Sequence, residues 1–197
     1  MSLALQAPKG FTLTEMMIAL AIAGILALLA VPSFLETVRN SRLTAQTDEF
    51  LAALNLARSE ALKRGVRVSL CKSADGSACA TAGGWEQGWI SFVDANPPLG
   101  SRDTANPNQE PILRSQQALP NLYNSRASAV FADAIGFLAN GAASGSGVFV
   151  NCYNGVLTGA RAIAVNSAGT IRQLADGNGD KIPNVNATTN VSSCTAP

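Results

Sequence analysis

Histidine is absent from the 197-residue sequence. Its absence excludes catalytic triads built on imidazole and the metal sites in which histidine is the usual ligand. The sequence also has no G-x-S-x-G nucleophile motif and no phosphate-binding glycine-rich loop. We therefore expect a protein that is not an enzyme and that uses no cofactor and no metal.

Charge is scarce, since only 14% of the residues are charged, with 14 lysines and arginines against 13 acids. From Val66 to the end of the chain, eight basic residues are balanced by eight acidic ones. DNA binding depends on the neutralisation of phosphates by clustered Lys and Arg. The sequence therefore provides no overall basic field that would attract nucleic acid.

A long apolar run extends from Met16 to Leu35, where twenty consecutive residues carry no charge. Twenty residues in a helix span about 30 Å, which is the thickness of the hydrocarbon core of a bilayer. Glu15 lies at the rim of this run, where a carboxylate is costly and is expected to be functional. The length of the chain fits this anchor and one further domain.

A short polar leader precedes the apolar run, ends in Lys9-Gly10, and is followed by Phe11-Thr12-Leu13-Thr14-Glu15. A secretory signal peptide is cleaved after its apolar region, whereas here the apolar helix lies beyond the leader. The G-F-T-L-T-E sequence resembles the class III leader of type IV pilins and pseudopilins. This resemblance implies that a prepilin peptidase removes residues 1–10 and that Phe11 is then N-methylated. We assign residues 11–35 to a transmembrane helix.

Glu15 is predicted to act in subunit assembly. Cleavage would give Phe11 a cationic amine four residues from Glu15, and a carboxylate in lipid needs a partner. We expect this partner to be the terminal amine of a neighbouring subunit, because charge pairing at low dielectric would hold two subunits in register. The alternative is that Glu15 only lies in the headgroup layer.

The membrane orientation is predicted from the leader and the cysteines. Lys9 precedes the span and Arg39 and Arg42 follow it, so the count of positive residues does not favour a cytoplasmic N-terminus. We nevertheless expect a single pass through the inner membrane, with the C-terminal domain in the periplasm. The expected partners are other major and minor pilins or pseudopilins and the inner-membrane assembly platform.

The four cysteines are Cys71, Cys79, Cys152 and Cys194. An even number of cysteines behind a membrane anchor predicts disulfides in an oxidising compartment. Of the three pairings, we favour Cys71–Cys79 as a local link and Cys152–Cys194 as a tether for the tail. A zinc site with four cysteines is the alternative, although the spacings lack CxxC-like pairs.

Residues 36–65 are predicted to continue the helix with an amphipathic pattern. Pro32 is expected to kink or loosen the helix where its two parts meet. Apolar or small residues recur at spacings of three and four and form one stripe, which consists of Leu43, Thr47, Phe50, Leu54, Ala57 and Ala61. Gly65 is expected to end the helix.

Residues 66–197 are predicted to form a β-rich domain. The strand candidates are 66–71, 89–93, 111–114, 129–131, 147–152, 162–165 and 170–174, and residues 95–108 are expected to form an exposed loop. The first two candidates are predicted to form a hairpin. We therefore expect an α+β protein in which the long helix packs on a mainly antiparallel β-sheet.

The domain also resembles the GspH/FimT minor pilins and pseudopilins. The resemblance rests on Leu56–Ala61 with Arg64-Gly65, Val68–Cys71, the W-x-x-G-W-x-x-F-x-D block from Trp85 to Asp94, Pro111–Arg114 and Ser167–Arg172. It implies a pilin fold and a non-enzymatic minor pilin that is incorporated into, or primes, a type IV pilus. The alternatives are a pseudopilin of a type II secretion system and a pilus-borne receptor for DNA uptake.

The DNA-receptor alternative depends on basic residues that are distant in the sequence. Some members of this group bind DNA through a G-R-x-R motif, whereas this chain has Gly169-Thr170-Ile171-Arg172. The remaining candidates for DNA contact are Arg161, Arg172 and Lys181, if they cluster in space.

Two further patterns are interpreted as structural. Trp85 and Trp89 are expected to pack in the core rather than to stack on a ligand. Asp176-x-Asn178-x-Asp180 is similar to the start of a calcium loop, but no acid stands at the twelfth position, Ala187. We expect this segment to be a polar turn.

Overall fold

The computed structural model describes residues 10–105, 109–186 and 189–195, with the backbone alone at positions 29 and 32. Lys9 with the rest of the predicted leader, part of the predicted 95–108 loop, and Ala187 lie outside the described residues. The chain divides into two compact units, one that ends at Asn40 and one that begins at Ser41.

Helix α1 comprises Leu13–Arg64 and is continuous through position 32. Its apolar first part is long and apolar enough to cross a membrane, by length and composition. The large apolar side chains described there, including Met17, Leu20 and Phe34, are exposed to the solvent. Their exposure within the single chain leaves them free to contact lipid or other subunits.

The second part of α1 buries the stripe that its sequence predicts. All six stripe residues are at most 4% exposed: Leu43, Thr47, Phe50, Leu54, Ala57 and Ala61. On the outer face, Glu60 and Arg64 form an i,i+4 ion pair in which Nε lies 2.6 Å from Oε2. The helix ends where Gly65 N–H donates to the Ala61 carbonyl at 2.9 Å.

Within the described residues, eight strands form two four-stranded sheets in which every strand pair is antiparallel. The strands are β1 Val68–Lys72, β2 Trp89–Val93, β3 Ile112–Gln116, β4 Tyr123–Ala127, β5 Ala134–Phe137, β6 Gly147–Tyr153, β7 Val156–Val165 and β8 Ile171–Leu174. The first sheet has the order β3-β2-β1-β5 and the second has the order β4-β6-β7-β8. The helix-on-sheet prediction is confirmed, with two sheets in place of one.

The segment 129–131 is not the strand that its composition predicts. It is a 3-10 helix, Ala129–Phe131, because Phe131 N–H bonds back to the Ser128 carbonyl and Ala132 N–H to the Ala129 carbonyl. This turn places the Phe131 ring flat against Phe149, with ring centroids 5.4 Å apart. Strands β4 and β5 were not among the predicted strands.

The main core lies between α1 and the inner faces of the two sheets. Phe50 is central to this core and meets Trp85, Trp89 and Phe149 edge to face, with ring centroids 4.9–5.8 Å apart. The Trp85 indole N–H donates to the Phe131 carbonyl at 3.0 Å. Both tryptophans are therefore core residues, as the sequence analysis expected.

The two disulfides are Cys71–Cys79 and Cys152–Cys194, which is the pairing favoured from the sequence. The described residues contain no free cysteine, so the four-cysteine zinc site is not formed. Each disulfide belongs to a small cluster on the outer face of a sheet. Ile90 and Phe92 pack with Cys71, and Val150 and Val191 pack with Cys152 and Cys194.

Candidate assembly site at the helix N-terminus

Thr12 and Glu15 form a capping box at the start of α1. The Thr12 hydroxyl oxygen accepts the Glu15 N–H at 3.2 Å, and the Thr12 N–H donates to Glu15 Oε2 at 2.9 Å. The Thr12 hydroxyl also donates to the same carboxylate oxygen at 2.8 Å. The T-x-x-E spacing produces this arrangement because the N-cap residue and the N3 residue satisfy each other's free N–H groups.

The capping box places the Glu15 carboxylate beside the peptide that joins Phe11 to Thr12. Phe11 is 84% exposed, and a β-carbon placed at Gly10 would have no other atom within 4 Å. Cleavage after Gly10 would create an amine at Phe11. This amine would be one residue from Thr12, whose backbone N–H already holds the Glu15 carboxylate. In the part of the chain that the structure describes, Glu15 has no cationic partner.

The acid that ends the tryptophan block, Asp94, is fully buried and has a structural role. Its carboxylate accepts hydrogen bonds from the Arg67 guanidinium at 2.6 Å and from the Ser69 hydroxyl at 2.5 Å. It also accepts the Gly100 N–H at 3.0 Å, which fixes the loop after β2. Glu110 is buried at the other end of this loop and accepts the N–H groups of Ala95, Asn96 and Asp103.

Lys72 is a buried cation at the end of β1 that the sequence analysis did not single out. Its ammonium group donates to the carbonyls of Thr81 and Gly83 and lies 2.7 Å from the Asp133 carboxylate. Lys72 therefore links the loop that contains Thr81 and Gly83, and the segment that contains Asp133, to the end of β1. The local sequence, a strand that ends in Cys71-Lys72, does not indicate this role, because the partners of Lys72 are distant in the sequence.

The three candidates for DNA contact do not form one cluster. In the register of β7 and β8, Arg172 lies opposite Ala164, three residues from Arg161. Side chains alternate between the two faces of a strand, so Arg161 and Arg172 lie on opposite faces of the sheet. Arg161 Nε faces α1, 3.4 Å from the Thr44 hydroxyl, while Arg172 donates to the Val185 carbonyl. The spatial cluster required by the DNA hypothesis is therefore absent for this pair.

The Asp176–Asp180 segment forms a polar turn that is closed by its own hydrogen bonds. Asp176 accepts the N–H groups of Asn178, Gly179 and Lys181. The pKa of Asp180 is lowered, first by the hydrogen bond from Asn190 and then by the Ile182 N–H. The described residues contain no group of acids or cysteines arranged as metal ligands, and Ala187 lies outside them.

A cleft opens between α1 and the facing ends of the two sheets. The residues that line it are Gln46, Glu49, Phe50, Trp85, Trp89, Gln116, Gln117, Leu119, Ser125 and Asn151. Its one titratable group, Glu49, is paired with Arg114 at 2.9 Å. The lining therefore offers amides for hydrogen bonding and no pair of groups suited to acid–base catalysis.

Together, the fold and the terminal site define a pilin-like class of protein, with an apolar helix that leads into a helix-on-sheet domain. A family model described as Type II transport protein GspH matches residues 46–169. A model of the prokaryotic N-terminal methylation motif matches residues 6–31. The chain therefore belongs to the GspH family, as the resemblance in the sequence indicated.

The fold is also similar to that of a solved minor pilin. Crystal structures of the type IV minor pilin FimU of Pseudomonas aeruginosa in two space groups match with TM-scores of 0.56 and 0.54. The identity is 19% and 20%, over 79% and 77% of this chain and 97% and 98% of those chains. At this identity the similarity concerns the fold alone.

A curated relative shares a shorter segment with this chain. Fimbrial protein Q of Moraxella bovis is 42% identical over 71 residues, which are 36% of this chain. The matched segment spans 45% of that protein, less than half of its length.

Proposed function

We propose that this chain is a structural, non-enzymatic minor pilin that is anchored in the inner membrane and is incorporated into, or primes, a type IV pilus. The names of the similar proteins, a minor pilin and a fimbrial protein, support the pilus. The family description, Type II transport protein, supports a secretion pseudopilus as the second candidate. Both candidates use the same kind of subunit.

The observation that carries the proposal is the position of Glu15 at the start of an exposed apolar helix. Its carboxylate is held 2.9 Å from the Thr12 backbone nitrogen, one residue from the amine that cleavage after Gly10 would create. In lipid this carboxylate is stabilised by a cation, and an N-methylated Phe11 amine of a neighbouring subunit provides one. Such a pair would align subunits as they leave the bilayer.

The proposal also assigns the processing partners and the orientation. A prepilin peptidase cleaves after Gly10, where the structure leaves the backbone exposed. Two disulfides in the domain that follows α1 support an oxidising periplasm on that side of the membrane. Other pilins and the assembly platform then receive the anchored subunit.

Replacement of Glu15 tests the proposed assembly role. We expect Glu15→Ala and Glu15→Gln to be processed normally but to be depleted from sheared fibres, because each variant lacks the charge that pairs with the amine. Asp48→Ala is the matched control, since Asp48 is an exposed acid on the same helix outside the apolar run. Quantitative immunoblots of the fibre fraction and mass spectrometry of the N-terminus provide the two measurements.

Normal amounts of both Glu15 variants in the fibres would contradict the proposal. A separate variant, Gly10→Val, checks the cleavage position and should leave an uncut precursor in the membrane. Recovery of this variant with Phe11 as its first residue would show that the cleavage assignment is wrong.

A further inference from the structure

The β6–β7 hairpin ends in an exposed apolar surface. Asn154 and Gly155 both have positive φ, 52° and 70°, and form the two-residue turn that a tight hairpin requires. Val156 is 51% exposed beside this turn, and Leu122 is 54% exposed on the neighbouring connection. Asn154 N–H donates to the Leu122 carbonyl at 2.6 Å, which joins the two segments. We call Leu122, Tyr153, Asn154, Gly155 and Val156 the hairpin tip.

Leu122 adopts an unusual conformation at this tip. Its φ is 75°, a left-handed value that costs free energy for a residue with a β-carbon. The Leu122 side chain is 54% exposed, so its burial does not offset this cost.

The hairpin tip lies at the end of the second unit where the chain arrives from the apolar segment. Along α1, Thr47 bonds to Asn151 of β6 at 2.9 Å and Arg58 bonds to Gly141 at 3.0 Å. Strand β6 therefore runs towards the Ser41 end of α1 as it approaches the tip. The turn begins at Asn154, three residues after Asn151, so the tip lies about 10 Å beyond Asn151 in that direction.

The composition of the tip region is that of a membrane interface. Residues 115–125 and 148–160, which lead into and out of the tip, contain no charged residue. Tyr123 and Tyr153 pack edge to face beneath the turn, with ring centroids 5.2 Å apart. Tyrosine is enriched at the level of lipid headgroups, and the exposed Leu122 and Val156 add apolar surface beside this pair. Gly159 N–H donates to the Lys181 carbonyl at 2.8 Å, which places the loop that contains Asp176, Asp180 and Lys181 beside β7. This loop is not net positive.

We infer that the hairpin tip rests in the headgroup layer of the bilayer that holds the apolar part of α1. The contact uses apolar and aromatic side chains, so it does not depend on anionic lipid. This inference rests on the membrane anchoring in the proposed function. It adds a second lipid contact, which would hold the domain against the bilayer until the subunit is extracted.

Paramagnetic broadening in lipid nanodiscs tests this contact on the full mature chain. The discs contain phosphatidylcholine with a small fraction of headgroups that carry chelated gadolinium. We expect the amide signals of Gly155 and Val156 to lose most of their intensity, while those of Leu138 and Gly141 at the Arg64 end stay sharp. The same loss is expected in discs that contain phosphatidylglycerol and at raised salt.

Two double variants separate the apolar contact from a general orientation of the domain. Leu122→Asn with Val156→Thr removes the apolar side chains while keeping residues that suit a positive φ and a strand. It should restore the Gly155 signal. The matched control, Leu138→Asn with Val66→Thr, changes exposed residues at the opposite end and should leave the broadening unchanged.

Each outcome decides between the inference and the anchoring on which it rests. If the protein inserts and the amides of Glu36 and Thr37 are broadened but Gly155 stays sharp, the inference is wrong and anchoring stands. If the protein does not insert into the discs, the anchoring proposal fails and the inference fails with it. Broadening that appears only with anionic lipid would also overturn the inference.

Discussion

At Gly169 the backbone has a φ of +80°, and a β-carbon would overlap the carbonyl oxygen of Gly141. The same oxygen accepts a hydrogen bond from Arg58 Nε at 3.0 Å. Two segments of the family resemblance, one around Arg58 and one around Gly169, thus meet at a single carbonyl. Both residues help to join the turn after β7 and the loop after β5 to α1.

Replacement of Gly169 is expected to destabilise the domain more than replacement of a glycine with similar φ in open space. Gly179 has a φ of +85°, and a β-carbon added there would have no atoms within 4 Å. Gly179→Ala should cost about 1–2 kcal/mol from backbone strain alone. Gly169→Ala should cost about 1–3 kcal/mol more because of the overlap. Urea denaturation of both variants measures the difference, and equal costs would contradict the argument.

Asp75 is an exposed acid whose pKa is held far below its usual range. The main causes are the hydrogen bonds from Ala78 N–H and Ser77 N–H, followed by the Ser77 hydroxyl. A lowered folded-state pKa contributes stability that is fully present above the unfolded pKa, about 3.9, and is lost as the pH falls towards the folded pKa. The ionised Asp75 carboxylate therefore stabilises the folded domain at neutral and mildly acidic pH.

The pH dependence of Asp75→Asn tests this linkage. We expect the variant to be less stable than the wild type at pH 7, since the amide cannot accept all of the bonds that the carboxylate accepts. The gap should narrow as the pH falls below about 4, because the wild type then begins to lose its contribution. Other titrating groups are present in both proteins and cancel in the difference. A gap that stays constant down to pH 2 would rule out the linkage.

The two disulfides close loops of the chain that differ greatly in length. Cys71–Cys79 spans 8 residues and Cys152–Cys194 spans 42. In the chain-entropy description, the longer closed loop removes more freedom from the unfolded chain. The tail that the longer link holds also covers the outer face of the second sheet through Val191.

The loss of unfolding free energy on removal of each disulfide should increase with the length of the loop that it closes. The Cys71→Ala, Cys79→Ala variant is expected to lose about 2.5 kcal/mol and the Cys152→Ala, Cys194→Ala variant about 4 kcal/mol. Chemical denaturation without reductant gives both values. The reverse order would show that local packing, and not loop closure, sets the contribution of the disulfides.

The elements that the sequence predicted well are those whose pattern is set by burial along one segment. The stripe of α1 repeats every three to four residues because one helix face is buried, and β2 is a buried apolar run. Strand β4, by contrast, has the sequence Tyr-Asn-Ser-Arg-Ala. It is held by pairing with β6 and by Glu86, which accepts the Ser125 N–H and forms an ion pair with Arg126. These partners are distant in the sequence, so no local pattern marks the strand.

The candidate sites show the same division between local and distant contacts. The T-x-x-E spacing of Thr12 and Glu15 is a local signature of a capping box. The Asn154-Gly155 pair is a local signature of a hairpin turn, although it was not among the predicted features. The faces of Arg161 and Arg172 depend instead on the register between β7 and β8. A shift of one residue would move a side chain to the other face, so their separation required the structure.

At the scale of the whole domain, the described basic residues are spread over several elements, and some of them are paired with acids. Arg67, Lys72, Arg114 and Arg126 each form an ion pair within the domain. Of the three candidates for DNA contact, Arg161 faces α1 and Arg172 lies on the other face of the sheet. Few phosphates could be neutralised at once by such an arrangement.

Titration of the domain that begins at Ser41 with duplex DNA tests this conclusion. We expect weak binding that fades with salt, with a log–log slope well below three, because each phosphate contact contributes about 0.9 to the slope. Arg172→Ala should lower the slope by at most about one unit, and so should Lys63→Ala, a matched exposed cation on α1. Micromolar or tighter binding at physiological salt that Arg172→Ala abolishes and Lys63→Ala preserves would contradict the structural role and favour DNA uptake. Fluorescence anisotropy at low and physiological salt distinguishes these outcomes, because a dedicated receptor retains its affinity where dispersed charges lose theirs.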